Sequence, residues 1–231
     1  MGRTIVIHQP DFLPHLAFFH RLYLADVFII LDHVQHVKNG WHNRDKIKTS
    51  SGVEWLTIPV VRSGRSKQSL LDVNVSTTLN WRTKHMKTLE YAYSSSPYFH
   101  DIFPGITSIY EKKTDKLVDI NMEFILYFIN YFDIKVEIFS SSELCPEFQS
   151  NELLIDLIRK VNGKTYISGI GARSYMDEAL WTTSGIELIW QQYEERPYPQ
   201  LKGEFSPGLS CIDFAMNCGP HLKEFLFHDA P

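Results

Sequence analysis

Residues 4–31, TIVIHQPDFLPHLAFFHRLYLADVFIIL, decide the fold. The opening TIVI suits a short buried strand. Residues 27–31 form a second unbroken apolar run, as strands buried on both faces require. Between them, residues 16–25 place Leu16, Phe19, Leu22 and Tyr23 at helical spacing. Strand, helix and strand in so short a span imply two parallel neighbours joined by a crossover. The same alternation returns later. Strands are expected at 135–139, 165–168 and 187–191, separated by helices at 152–161 and 174–182, with Gly185 placed as a helix-ending glycine. Residues 81–93 read as a helix, and 108–132 as a longer one broken once near Asn121. Residues 55–61 and 71–75 read as short strands around the polar link 62–69, a small antiparallel excursion within 38–75. The expected class is α/β: one domain over residues 1–231, a mainly parallel sheet, and helices on both faces.

Composition bounds the function. The 231 residues carry 23 Lys and Arg against 27 Asp and Glu, a formal charge of −4, which argues against a general polyanion binder. The average hides a division: residues 38–87 carry +7, and residues 137–231 carry −7. Six of the ten histidines lie within the first 42 residues. Three irregularly spaced cysteines, Cys145, Cys211 and Cys218, make neither a disulfide framework nor a zinc motif. The start lacks the charged and apolar regions of a signal peptide. The most apolar stretch, 122–132, is too short to span a bilayer and is interrupted by Glu123 and Asn130. A cytoplasmic protein without membrane insertion is expected. The aromatic-rich 122–132 segment is either core or the face of a homodimer.

In parallel sheets, ligands sit beyond the carboxyl ends of the strands. That rule singles out residues 8–15, 32–48, 140–142, 168–173 and 191–200, and four stretches at or near them carry specific readings. The first is His8–Gln9–Pro10 through Pro14–His15, where His8 and Gln9 stand at the mouth of a cleft; a rigid turn is the alternative. The second starts at Asp32 and contains His33, Gln35 and His36. Two histidines on opposite faces of an extended segment do not chelate one ion, so no metal is expected. Its tail, Asn43, Arg44, Lys46 and Lys48, alternates so that the three cations share a face, which suits a phosphate or a carboxylate; a solvated basic loop is the bland reading. The third is Tyr166–Met176, where Ser168, Gly169 and Gly171 form a glycine turn before a helix expected to begin near Ala172. The fourth contains Tyr198 and Gln200, then Ser210 and Asp213, which read as a helix cap.

Together these residues resemble the WbqC-like family. The matching elements are HQPDFLPH at 8–15, Asp26-Val27-Phe28, Leu31-Asp32-x-Val34-Gln35, Trp41-x-Asn43-Arg44 with Ile47-Lys48, and Trp55 to Pro59. Trp81, Tyr166-x-Ser168-Gly169, Tyr175, Tyr198-x-Gln200 and Leu209-Ser210-x-x-Asp213 follow in order. His15 and Ala17 depart from it, standing where Trp and Gly are common in that family. The resemblance implies a bacterial protein of O-antigen or other surface-polysaccharide biosynthesis. From that context, acyl or aminoacyl transfer to the amine of a nucleotide-linked amino sugar is expected. A fainter similarity links residues 12–18 to the strand–loop–helix motif of nucleotidyltransferases and pantothenate-synthetase-like ligases. It implies a Rossmann-like nucleotide-binding core, but Phe18 replaces the second histidine of that motif.

On this reading His8 or His15 is the general base, because an attacking ammonium must lose a proton and imidazole titrates near neutrality. Asp32 orients that base or binds a sugar hydroxyl. Arg44, Lys46, Lys48 and the 168–171 turn hold phosphates, while Gln9, Gln35 and Gln200 read hydroxyls or an acyl amide. The donor is an acyl thioester or a charged tRNA, for which the +7 segment is the natural dock. One rival is a ligase that activates a free carboxylate with ATP and Mg²⁺. Another is a non-catalytic sugar-nucleotide-binding assembly protein.

Overall fold

A computed structural model describes residues 2–38, 40–61, 68–77 and 79–227. The expected link at 62–69 therefore lies largely outside the described residues. Five strands, β1 (Arg3–His8), β2 (Val27–Ile30), β5 (Glu137–Ser140), β6 (Gly163–Ser168) and β7 (Glu187–Trp190), form one sheet in the order β5-β2-β1-β6-β7. Every pairing in it is parallel. In β2 all four residues are buried, which explains why it reads as a continuous apolar run rather than an alternating one.

The alternation of side chains divides the core between two faces. Val6, Phe28 and Ile167 face α1 (Leu16–Tyr23), α4 (Leu117–Tyr131) and α8 (Cys211–Cys218), where Phe19, Phe128, Phe132 and Phe214 pack. Ile5, Ile7, Val27 and Ile29 face the other way, onto Leu157 and Ile158 of α6 (Ser150–Lys160) and Trp181 of α7 (Glu178–Ser184). The expected parallel α/β architecture is present. So is the antiparallel excursion, as a hairpin of β3 (Arg44–Thr49) and β4 (Gly52–Thr57). The helix at 81–93 is α2 (Trp81–Tyr93), and Gly185 ends α7 with φ +73°. No helix among the described residues is long and apolar enough to cross a membrane.

Three expectations need correction. Residues 71–75 are not a strand: Leu70–Asp72 is a turn of 3₁₀ helix capped by the Ser69 hydroxyl, and Asn74 and Val75 make isolated bridges only. The long helix is two, α3 (Phe99–Glu111) and α4, and the break lies in the polar stretch 112–116 rather than at Asn121. Asn121 is fully buried in mid-helix, its Nδ2 donating to two carbonyls outside the helix, so that nitrogen does not compete with its own backbone. The helix expected near Ala172 is a 3₁₀ segment, Ile170–Tyr175, and α7 begins only at Glu178, capped by Asp177.

α2 docks on the hairpin through His85, whose Nδ1 accepts a hydrogen bond from Tyr110 Oη (3.0 Å) and whose Nε2 donates to the Thr57 carbonyl (3.1 Å). Burial lowers its pKa to about 4, so the folded state excludes a proton that the unfolded state accepts below about 6.5. His85→Gln keeps both bonds without titrating. Relative to this variant, wild type should lose stability as pH falls below about 6.5, by up to ~1.4 kcal/mol per unit, and hold a constant difference above it. Buried carboxyls raised in the fold, such as Asp45 (to about 8), slope the other way in both proteins and cancel in the comparison. Melting curves from pH 8 to 4.5 check this, and a pH-independent difference contradicts it.

Candidate functional site

The strand order makes a site geometrically unavoidable. After β1 the chain crosses to β2 on one side, while β6 joins β1 from the other, so the loops leaving β1 and β6 part at their carboxyl ends. The opening there has two lobes of about 370 and 550 Å³, which share Ile7, His8, Tyr166, Ala172 and Tyr175.

The β1 loop forms one wall, and distant elements hold it. The Phe12 amide donates to the Trp41 carbonyl (3.0 Å), and the Cys211 amide donates to the Pro14 carbonyl (3.0 Å). Asn121 Nδ2 donates to the carbonyls of Pro10 and His42, both at 2.7 Å. Phe12 is buried against Phe124 and His85. These contacts keep buried Leu13 in the left-handed region (φ +47°), a conformation that a residue with a γ-branched side chain adopts only under such constraint.

The loop carries a cluster of titratable groups. His8 Nδ1 lies 2.8 Å from the Gln9 carbonyl, so that nitrogen carries the proton and Nε2 is left as an acceptor. His42, on the 3₁₀ turn Trp41–Asn43, sends Nε2–H to Gln9 Oε1 (2.6 Å) and accepts the Val37 amide at Nδ1 (3.4 Å). Asp11 stands between the two rings, its oxygens 3.7 Å from His8 Nδ1 and 3.8 Å from His42 Nε2. Burial pushes the Asp11 carboxyl up to about 7 against the pull of Arg21, and it lowers His42 to about 4. His8 is also driven well below its ordinary value, by burial first and Arg21 second. His15 is exposed at the mouth, its ring edge-on to Trp41. Desolvation, then the charges of Arg21 and Lys46, push it in the same direction, though solvent access tempers the effect. In the neutral range His8, His15 and His42 are thus uncharged, and Asp11 is the group that exchanges a proton.

The opposite wall is the β6 exit. Ser168 is buried, and both Gly169 and Gly171 line the opening. At Gly171 an added Cβ meets nothing. At Gly169 it falls 2.5 Å from Nη1 of Arg21, so the guanidinium lies where a side chain would be. Tyr175, largely exposed, borders both lobes.

Of the sequence candidates, then, His8, Gln9, His15, Ser168, Gly169, Gly171 and Tyr175 come together. Others do not. Asp32 caps the short α5 (Ser141–Leu144): its oxygens accept from Ser141 Oγ (2.8 Å), Ser142 N (2.9 Å) and Ser142 Oγ (2.6 Å). Gln35 pairs with Ser69 in a backbone bridge. Asn43 is buried, with Nδ2 on the Ile58 carbonyl. Lys48 is turned inward to Gln200 Oε1 (3.0 Å) and the Glu204 carbonyl. Tyr198 and Tyr93 both donate to Asp213 (2.9 and 2.8 Å), a brace beneath α8 whose N-cap is Ser210, as read. Arg44 lies over Trp55 (4.4 Å), and Lys46 lies 5.6 and 5.5 Å from Trp41 and Trp55, on the outer face of β3. The basic strand is thus split between a solvent-facing stack and an internal tie.

Sequence reasoning missed Asp11, Arg21 and the role of His42. Arg21 had a visible signal: it stands four residues after Ala17 on α1, flanked by Phe18, Phe19 and Leu22, where a solvated arginine has no reason to be. Among the described residues no three His, Cys, Asp or Glu side chains are grouped to hold a metal ion.

A doubly wound α/β protein with a polar crevice at its topological switch point is what fold and site define. The chain belongs to the WbqC-like protein family, whose profile matches residues 9–224. It is 31% identical over 226 residues to the uncharacterized protein Rv1507c of Mycobacterium tuberculosis (strain ATCC 25618 / H37Rv), with 97% of each chain covered. No solved structure matches it significantly.

Proposed function

We propose that the chain is an enzyme of surface-polysaccharide biosynthesis that transfers an acyl or aminoacyl group to the amine of a nucleotide-linked amino sugar. The observation that carries this reading is Asp11: a carboxyl at a ligand crevice, raised to about 7 and flanked by two uncharged imidazoles. A base tuned to neutrality is what an ammonium nucleophile needs. Asp11 takes the proton of the sugar ammonium while His8 Nε2 accepts a hydrogen bond from the same nitrogen. The amine attacks the acyl carbon, the new C–N bond replaces the C–S bond of a thioester donor, and the second proton shed by the nitrogen passes to the released thiolate. His15 and Tyr175, at the rim, border the path of the donor.

The test pairs nucleoside-diphosphate amino sugars with acyl and aminoacyl thioesters in one arm, and with free acids plus ATP and Mg²⁺ in the other, read by mass spectrometry. The amide product is expected in the thioester arm without ATP. Product in the ATP arm alone makes the protein a ligase, and saturable binding without product in either arm overturns the catalytic reading.

A further inference from the structure

Arg21 is 8% exposed, and it projects from the last turn of α1 into the crevice beside Ser168 and Gly169. No described carboxylate lies within ion-pair distance of it, no described acceptor hydrogen-bonds it, and its enclosed Nε has no partner. A guanidinium held this deep without a bonded carboxylate is costly, because burial disfavours its charge and only the longer-range pull of Tyr166, Asp11 and Tyr175 opposes that. The surroundings nevertheless make room for it: Gly169 lacks the Cβ that would meet Nη1, and its backbone is ordinary (φ −71°), so the missing side chain serves the guanidinium rather than the turn.

We propose that Arg21 is the anion-binding residue of the crevice, its guanidinium fork above Gly169 holding one phosphoryl group of a diphosphate-linked ligand. The fork geometry matches two oxygens of one oxyanion. Arg21 lines the smaller lobe together with Trp41, and that lobe shares Tyr175 with the larger one, so there is room for a ligand longer than the anion itself. Naming that ligand a sugar nucleotide rests on the function proposed above; the anion site does not.

The full chain is titrated calorimetrically with UDP, inorganic diphosphate, uridine and acetate. UDP and diphosphate should bind at least roughly 10-fold more tightly than uridine and acetate. Acetate binding as tightly as diphosphate would replace the phosphoryl group by a carboxylate and overturn the assignment. Arg21→Met should weaken diphosphate by roughly 10–100-fold and, because it removes an unpaired buried charge, raise the melting temperature of the ligand-free protein. Unchanged diphosphate binding in that variant, or a lowered melting temperature with affinity retained, refutes the site. Gly169→Ala, which displaces Nη1 while keeping the charge, should weaken diphosphate in the same direction, giving a second check if Arg21→Met does not fold. Arg21-dependent diphosphate binding without amide formation in any arm leaves the site standing and the proposed reaction fallen; full turnover in Arg21→Met does the reverse.

Discussion

Replacing Asp11 by Asn should lower kcat/KM for the proposed transfer by roughly 10²–10⁴-fold, the usual contribution of a positioned general base. The shape is retained, so the loss comes from the missing base. The pH dependence identifies it. In wild type the rate should rise through about pH 7 as Asp11 ionises, and no inflection should come from His42, neutral from well below that range. In the variant the rise disappears. Stability moves the other way. A carboxyl whose folded pKa lies above its unfolded value binds its proton better in the folded state, so wild type loses stability as pH rises from about 4 toward about 7. Asp11→Asn should therefore melt above wild type at pH 8 and close to it near pH 4. A pH–rate profile and two melting series check both halves; full activity in the variant sinks the assignment of the base.

The second large effect lies outside the crevice. Asn121→Ala removes the two donors that fasten the Pro10 and His42 carbonyls, leaving two buried acceptors without them. Each such loss costs about 1–3 kcal/mol, so destabilisation of about 2–6 kcal/mol is expected, or roughly 4–24 °C in Tm. Because the same amide fixes the loop bearing Asp11 relative to the turn bearing His42, activity should fall even at temperatures where the variant is folded. A Tm within 2 °C of wild type would show that the amide is not the fastener described here.

The parallel architecture was legible because it rests on short-range signals: unbroken apolar strands and helical spacing in residues 4–31, repeated after residue 135. What failed to read was polar residues with long-range partners. Asn121 looks like a helix breaker until its carbonyl partners, contributed by Pro10 and His42, are in place. Lys48 looks like a ligand-binding cation until Gln200 and Glu204 fold over it. Asp32 looks like a strand-end carboxylate that orients a base or binds a hydroxyl until the two serines after β5 arrive. The site was half legible for the same reason. His8, Gln9 and the Ser168–Gly171 turn follow from strand ends, which periodicity locates. Arg21 and Asp11 acquire meaning only from what surrounds them, and a single sequence does not state surroundings.

The way the Gln9–His15 loop is secured also sets the order in which the molecule matures. Its fasteners come from Trp41, from Asn121 in α4 and from Cys211 at the start of α8. During synthesis β1 leaves the ribosome ahead of β2 and can pair with it soon after, yet the loop between β1 and α1 must wait for α8, nearly two hundred residues later. Closing contacts of that sequence separation is slow and comes late. A nascent chain thus carries its first strands long before it carries a competent crevice.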